Sequence, residues 1–397
     1  MNTRKAIIIG AGIAGPALAL QLQRAGIPST LFESRPGPDG DEGAFLGLTP
    51  NGQNAIRSLV NLPDLRQEYT PGKMEFYNAR NRKIGELDTA GQRERFGAET
   101  IQLKRSRLHG LLREAALAAG IPIRTGKKLV GLRQTAGGAE VSFADGTGEA
   151  ADLVIGCDGV HSATRKLLFP GSPLPRYTGL LSTGAYARLP GMEPLFGAIR
   201  MVFGEKAFFA YAVSNRGEVW WFNNYRRPEA PSPGQVEGEL TPEIKRRLLE
   251  LHRHDPDPIR AIIGATDAIA AYPVYELPFL ERWYDGAVCL AGDAAHATSP
   301  HIGQGAALAL EDTVVLAKCL RDISRPERAF AAFQARRQDR VRRIVQQARK
   351  VGDQKTAPGK VGQLFRDLLL PVFVKREAKK TDWVYAYRED WQQPVTG

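Results

Sequence analysis

The stretch Lys5-Ala6-Ile7-Ile8-Ile9-Gly10-Ala11-Gly12-Ile13-Ala14-Gly15, followed through to Ser29-Thr30-Leu31-Phe32-Glu33, decides the fold. Lys5 to Ile9 is a short apolar run rich in β-branched residues and reads as a buried strand. Ala17 to Ala25 is Ala- and Leu-rich with no internal breaker, which predicts a helix. Gly26 ends that helix, and Ser29 to Glu33 reads as a second strand finishing on an acid. The order is strand, G-x-G-x-x-G, helix, strand, with the acid roughly 20 residues past the glycines. Each glycine has its own reason. Gly10 permits a turn too tight for a Cβ. Gly12 lets a pyrophosphate approach the backbone, and Gly15 lets the helix lie close to the strand. The helix N-terminus offers free N–H groups and a positive partial charge to phosphate oxygens. Glu33 is placed to accept hydrogen bonds from a ribose hydroxyl pair. An adenine dinucleotide is the expected ligand, against the alternative of a purely structural βαβ unit.

Working outward, 397 residues are enough for two or three domains with a large core. No apolar run approaches the ~20 residues of a membrane span. The N-terminal apolar run belongs to the dinucleotide pattern and is not a signal peptide. Cys157, Cys289 and Cys319 have no metal or redox spacing, so a reducing cytoplasmic setting is expected. The net charge of +11 has no nucleic-acid module to go with it. Its densest run, Arg336 to Lys350, reads as a solvated helix face, with a surface for a membrane or an acidic partner as the alternative.

Gly43 to Gly52 reads as a loop leading into a helix near Gln53 to Leu59. Met74 to Leu87 predicts a hairpin. Leu108 to Ala119 predicts a helix, and Leu153 to Ile155 a strand that empties into Gly156-Cys157-Asp158-Gly159. From Tyr177 to Tyr275 short aromatic runs punctuated by Gly and Asn predict an antiparallel sheet. In it Phe209, Tyr211, Trp221 and Asn223 alternate on one face, the face expected to meet an aromatic substrate. Arg188 and Arg200 read as surface residues, with pairing to a substrate carboxylate as the alternative. Late in the chain Ala287 to Ala291 predicts a buried strand ending on Gly292-Asp293, where α/β folds bind ligands. Pro300-His301-Ile302-Gly303-Gln304-Gly305 is a bare-backbone turn before a long helix, Ala306 to Leu320. The N-terminal N–H groups of that helix suit an anion.

G-x-G-x-x-G first, Cys157-Asp158-Gly159 midway and Gly292-Asp293-Ala294-Ala295-His296 late resemble the class A flavoprotein monooxygenases, the family of para-hydroxybenzoate and salicylate hydroxylases. The resemblance covers roughly residues 1–320. It implies an α/β fold: a Rossmann-like FAD-binding domain with a β-sheet substrate domain and C-terminal helices. The implied divisions are 1–72, 98–170 and 276–325 for the FAD-binding domain, 73–97 and 171–275 for the substrate domain, and 326–397 for the C-terminal segment.

The resemblance also implies a cofactor-binding set. Gly10, Gly12, Ile13, Ala14 and Gly15 would line the FAD pyrophosphate, with Glu33, Ser34 and Arg35 at the adenosine ribose. Gly47, Leu48, Arg105 and Leu129 are further contacts, with Arg107 a rival for Arg105. Asp158, Gly159 and Arg165 form the second signature. Gly292, Asp293, Ala294, Pro300, Gly303, Gln304, Gly305 and Ala306 would hold the ribityl chain and ring. Ala307 departs from the family, where asparagine is frequent. His301, beside the expected flavin ring, is the catalytic candidate, with packing as its alternative. His296 is expected to hydrogen-bond locally and His161 to be structural. His252 and His254 read as linker residues, and no metal site is expected.

The implied activity is a single-component monooxygenase. NAD(P)H reduces FAD, O2 forms a C4a-hydroperoxide on the reduced flavin, and one oxygen passes to an aromatic or polyketide-like small molecule. A monomer or homodimer with no nucleic-acid partner and no membrane span is expected. A flavin epoxidase or tetracycline-type inactivating oxygenase is the near alternative, and a non-catalytic flavin sensor the alternative of a different class. A flavin halogenase lacks support, because the chain has no G-W-x-W-x-I-P.

Overall fold

Strand Ala6–Ile9 lies inside a six-stranded sheet, flanked by Leu153–Gly156 on one side and Ser29–Phe32 on the other, both parallel to it. The full order is Tyr284–Asp285, Val288–Leu290, Leu153–Gly156, Ala6–Ile9, Ser29–Phe32, Ile123–Arg124. Only the first pair is antiparallel. All four residues of Ala6–Ile9 are buried, as expected for a strand covered on both faces. The computed structural model describes residues 4–37, 45–61, 69–214, 216–232, 241–355, 362–363, 365, 367–370 and 381–396.

Helix Ala14–Arg24 and helix Gly305–Asp322 cover one face of this sheet. The second is buried along most of its length, its polar Glu311, Asp312 and Lys318 included. The three-stranded sheet Leu129–Thr135, Gly138–Phe143, Gly148–Ala151 packs on the other face, with Phe143 stacked on Phe32 at 4.7 Å.

A separate seven-stranded sheet runs Ala270–Glu276, Arg176–Arg188, Glu218–Arg226, Ala207–Val213, Ala198–Phe203, Lys73–Asn78, Lys83–Asp88. Helices Thr241–Leu251 and Ile259–Gly264 cover one of its faces. Strand Phe45–Leu48, paired antiparallel with Ile101–Lys104, meets the other through Phe45, whose ring lies 5.8 Å from Trp220 and 5.6 Å from Phe222.

Two expectations change here. Within Gly43 to Gly52, residues 43 and 44 lie outside the described residues, and the rest is not a loop. Phe45–Leu48 is a strand and Pro50–Ile56 a helix. The pairing with Ile101–Lys104 supplies the backbone partners that local propensity did not suggest.

The arginine run is only partly a solvated face: Arg336, Arg342, Arg343 and Lys350 are exposed, but others turn inward. On helix Pro326–Lys355, Arg337 is fully buried and pairs with Glu311 and Asp312, each at 2.7 Å. Arg340 reaches Glu311 at 2.7 Å and stacks on Trp383 and Tyr387. Arg343 covers Trp383, and Arg342 covers Phe279. Trp383 and Tyr387, from the segment 381–391, face Arg337, Arg340 and Arg343. The side chains of Phe330, Phe333, Val341 and Ile344 join the same apolar core as the six-stranded sheet.

Candidate functional site

The three motifs leave the six-stranded sheet side by side. Ile9 is in register with Gly156, and Gly156 with Leu290. The Cys157 N–H donates to the Ile9 carbonyl at 2.7 Å, and the Ala291 N–H to the Gly156 carbonyl at 2.9 Å. Gly10, Cys157-Asp158-Gly159 and Gly292-Asp293 therefore start from three adjacent strand ends. From Ala6–Ile9 the chain first builds the sheet one way, to Ser29–Phe32, and later the other way, to Leu153–Gly156. The carboxyl ends at that reversal form the crevice where open α/β sheets take ligands.

The glycines fit their expected reasons. Gly10 has φ +98, and a Cβ there would sit 2.5 Å from the Cys157 carbonyl oxygen. A Cβ on Gly15 would run into the Gly10 carbonyl oxygen, so the helix packs on the loop backbone. Nothing lies within 4 Å of a Cβ built on Gly12, Gly159, Gly303 or Gly305. Empty space beside bare backbone at the start of two helices, Ala14–Arg24 and Gly305–Asp322, is the kind of cradle that phosphates or an electron-rich ring require. Glu33 folds back over the first loop. One carboxylate oxygen accepts from Ala11 N–H at 2.8 Å, and the other from Arg35 N–H at 3.0 Å and Ser34 Oγ at 3.2 Å. Leu129 turns its side chain into the apolar cluster of Ile7, Phe32 and Phe143, on the chain segment whose Lys127 N–H donates to the Glu33 carbonyl.

Asp293 is open to solvent, yet enclosure by protein raises its pKa; His296 and Arg105 work against that rise. A side chain both open and enclosed lines a deep cleft. Arg105, at the start of helix Arg105–Ala118, acts electrostatically on Asp293 and on Tyr272. Arg107 is exposed on the same turn. Gly47 and Leu48 sit on the strand beside Gln102, with the Leu48 side chain fully buried. Pro300–Ile302 is a single 3-10 turn carrying a half-buried His301, and Gly303 follows at φ +63.

Two of the expected cofactor contacts have inward partners instead. Asp158 accepts from Ser162 Oγ at 2.5 Å and from Thr164 N–H at 2.9 Å, which secures helix Ala163–Leu168. Arg165 is buried and donates to the carbonyls of Ala294 at 2.8 Å and Val160 at 2.7 Å. These side chains fasten the middle motif to the late one, and only Gly159 is left with open space.

The largest correction concerns Phe209, Tyr211, Trp221 and Asn223. All four are buried on the face covered by helices Thr241–Leu251 and Ile259–Gly264. Trp221 donates to Thr266 Oγ1 at 3.0 Å and stacks on Phe209. Asn223 Nδ2 bonds the Phe208 carbonyl at 2.8 Å and lies 2.7 Å from His252 Nε2. Phe209, Trp221 and Asn223 are core, and Tyr211, also buried, lines a cavity behind the sheet. Arg200 is on that face too, paired with Glu75 and lining the same cavity of ≈ 430 Å³. Because side chains alternate, the face looking towards Phe45 carries their sequence neighbours: Phe208, Trp220, Phe222 and Asn224.

Sequence reasoning also missed a buried network beneath the cradle. Asp312 accepts from Gly292 N–H at 2.9 Å, His296 Nε2 at 2.6 Å and Arg337 Nε at 2.7 Å. Burial works to raise the Asp312 pKa, but facing His296 and Arg337 hold it down at about 2. Asn51 links Gln304, at 2.9 Å, to Glu311, at 2.7 Å. Ala307 packs against Gly52 of the neighbouring helix, and a Cβ on Gly52 would meet its Cβ at 3.0 Å. His252, read as a linker residue, is fully buried between Asn223 and Asp255. Among the described residues no cluster of side chains could hold a metal.

With this geometry in place, the comparisons are specific. Residues 3–348 match the family model for an FAD binding domain. This chain belongs to the class A flavoprotein monooxygenases. It is similar to the 3-hydroxybenzoate 6-hydroxylase of Klebsiella oxytoca, 30% identical with 97% of each chain covered. It is likewise similar to a 6-hydroxynicotinate 3-monooxygenase of Bordetella bronchiseptica, 30% identical over 85% of this chain and 89% of that one. Among solved structures, Klebsiella pneumoniae HpxO complexed with FAD and uric acid superposes with a TM-score of 0.81, at 24% identity and 96% coverage of both chains. That likeness is one of fold. As in the family, FAD is the cofactor, and the residues at the three strand ends are chemically fit for it.

Proposed function

We propose that this FAD-dependent monooxygenase works as a single component, drawing electrons from NADH or NADPH and adding one atom of O2 to an electron-rich aromatic small molecule. The observation that carries the reading is the registered exit of three glycine- and acid-bearing motifs from adjacent strands. Bound FAD supplies the redox chemistry, accepting electrons from the nicotinamide and activating oxygen.

The chain supplies binding and orientation. Backbone N–H groups from Gly10 to Gly15 take the pyrophosphate, with Gly12 leaving room for it. Glu33 accepts from the ribose hydroxyls while keeping Ala11 in place, and Asp293 accepts from a ribityl hydroxyl. The N-terminus of helix Gly305–Asp322, with Gly303 to Ala306, stabilises negative charge on the ring edge. Asp158, Arg165 and Asp312 hold these pieces in position. His301 is the nearest candidate to steer a substrate hydroxyl.

In domain terms, residues 1–72, 98–170 and 276–325 bind FAD, 73–97 and 171–275 shape the substrate pocket, and 326–397 brace both. Three buried free cysteines suit a reducing cytoplasm.

The test is direct. Purified protein is yellow, releases FAD on denaturation, and oxidises NAD(P)H faster when a phenol or hydroxylated heterocycle is present. The product gains the mass of one oxygen atom. A colourless protein that takes up no flavin, or a flavin-loaded one that ignores every aromatic compound, contradicts the proposal.

A further inference from the structure

Near its C-terminus the chain lays a short helix, described at residues 362, 363, 365 and 367–370, across two turns of the seven-stranded sheet. Gln363 Nε2 donates to the Glu205 carbonyl at 3.2 Å. One helical turn later Asp367 accepts from Asn78 Nδ2 at 2.8 Å. Leu370 packs against the cluster of Ile84, Phe203 and Phe208, on the face of the sheet that roofs the cleft. These three positions, at i, i+4 and i+7, form one stripe of the helix, and that stripe is docked.

The opposite stripe faces water. Phe365, Leu368 and Leu369, at i, i+3 and i+4, are 59%, 70% and 58% exposed. Among the described residues, three of the ten exposed large apolar side chains therefore fall on this single turn. Exposed apolar side chains scattered singly need no explanation, but a contiguous group marks a surface that meets something.

Charge decides what that is. Asn78, which holds the helix, also fixes two cations beside it: its Oδ1 accepts from the N–H groups of Arg80 and Arg82, each at 3.0 Å. Both arginines are exposed, and neither makes an ion pair among the described residues. Lys83 is taken up by Glu75 and Glu86, and at the other turn Lys206 offsets Glu205. In the sequence that follows, 371–374 is Pro-Val-Phe-Val, and 375–380 carries Lys375, Arg376, Lys379 and Lys380 against Glu377. An apolar stripe flanked by cations matches the acyl–headgroup boundary of an anionic bilayer. No helix among the described residues is long and apolar enough to cross one, so the contact lies on the surface. A second copy of the chain fits less well. A two-fold contact brings the arginines of both copies together, and three side chains fall far short of the ~800 Å² per partner of a stable dimer.

We infer that this face docks the protein on an anionic membrane surface, with Phe365, Leu368 and Leu369 entering the acyl–headgroup boundary and Arg80 and Arg82 meeting lipid phosphates. The docking goes beyond the monooxygenase reading and does not depend on it. Because Leu370 of the same helix packs on the roof, docking sets the substrate sheet, not the nucleotide end, against the lipid.

The experiment is flotation of the full FAD-loaded chain with vesicles of phosphatidylcholine alone or with about one-third phosphatidylglycerol, at low and high salt. The wild type should float with the anionic vesicles only and be released by salt. Phe365→Ser with Leu369→Ser should lower the partition coefficient about tenfold. Arg80→Gln with Arg82→Gln should lower it about twentyfold, at about fivefold per cation. Leu368→Trp should gain a blue-shifted emission on anionic vesicles. A wild type that ignores anionic vesicles overturns the inference, as does binding that survives the paired serine or the paired glutamine substitutions, or an unshifted Leu368→Trp emission. A wild-type dimer that the serine pair disperses, with no vesicle binding, assigns the face to a second copy and overturns it equally. Flavin content and NAD(P)H oxidation, measured on the same samples, should be the same in every variant, which separates lost docking from lost folding. A wild type that floats but holds no flavin removes the monooxygenase reading and leaves the docking in place.

Discussion

The nucleotide end and the substrate sheet are both built from short apolar strands, but they are constrained in different ways. At the nucleotide end, single atoms decide. Gly15 has no room for a Cβ because the Gly10 carbonyl occupies the place, and Gly10 holds a left-handed φ beside the Cys157 carbonyl. In the seven-stranded sheet alternation decides. Phe208 and Phe209, Trp220 and Trp221, and Asn223 and Asn224 are neighbours of the same type, and each pair divides between the two faces. One region is specified by identity at a position, and the other by a phase that these doublets leave ambiguous.

The largest expected effect is at the nucleotide end. Gly15→Val forces helix Ala14–Arg24 off the loop, so the variant should lose FAD and most of its folded yield, measured by flavin content and circular dichroism. Retained flavin would mean that the close packing of helix on loop is not required.

Arg337→Leu probes the brace that joins the regions. It leaves Glu311 and Asp312 buried beside an apolar side chain, and breaking such a pair costs about 3–5 kcal/mol. Chemical denaturation should show that loss. A change below about 1 kcal/mol would mean that Arg337 is not a structural brace.

The doublets sharpen the comparison. Asn223→Ala leaves the Phe208 carbonyl and His252 without their partner and should cost about 1–3 kcal/mol. Asn224→Ala, on the open face, should stay within about 0.5 kcal/mol in stability and raise the substrate KM instead. Equal stability losses would mean the two faces are not divided as described.

The smallest effect is with acid. A carboxyl whose folded pKa is depressed stabilises above its unfolded value and loses that contribution as pH falls through the folded one. For Asp312 this window runs from near 3.8 down to about 2. Asp312→Asn should flatten the fall of melting temperature over that window, relative to wild type.

Much of the nucleotide end was legible in the sequence because its constraints are local. A turn with φ +98, a helix that touches backbone and an acid ending the second strand each leave a residue type at fixed spacing. The convergence of the three motifs was legible only through resemblance, since strand order is not written in any one segment. The roof was misread for the reason the doublets give: a one-residue slip in phase moves every side chain to the other face. Arg337 and Arg340 were misread within the arginine run because composition says nothing about partners. Glu311, Asp312, Trp383 and Tyr387, which these two meet, lie on other elements. His252 shows the same limit, since its partners Asn223 and Asp255 come from a strand and a turn.

The measurement that tests the central claim most directly is amide hydrogen exchange with and without FAD. The account predicts that FAD protects residues 10–15, 292–293 and 303–306 together and leaves the core strand Ala207–Val213 unchanged. Protection confined to residues 10–15 would contradict it, because the late motif would then take no part in holding the flavin.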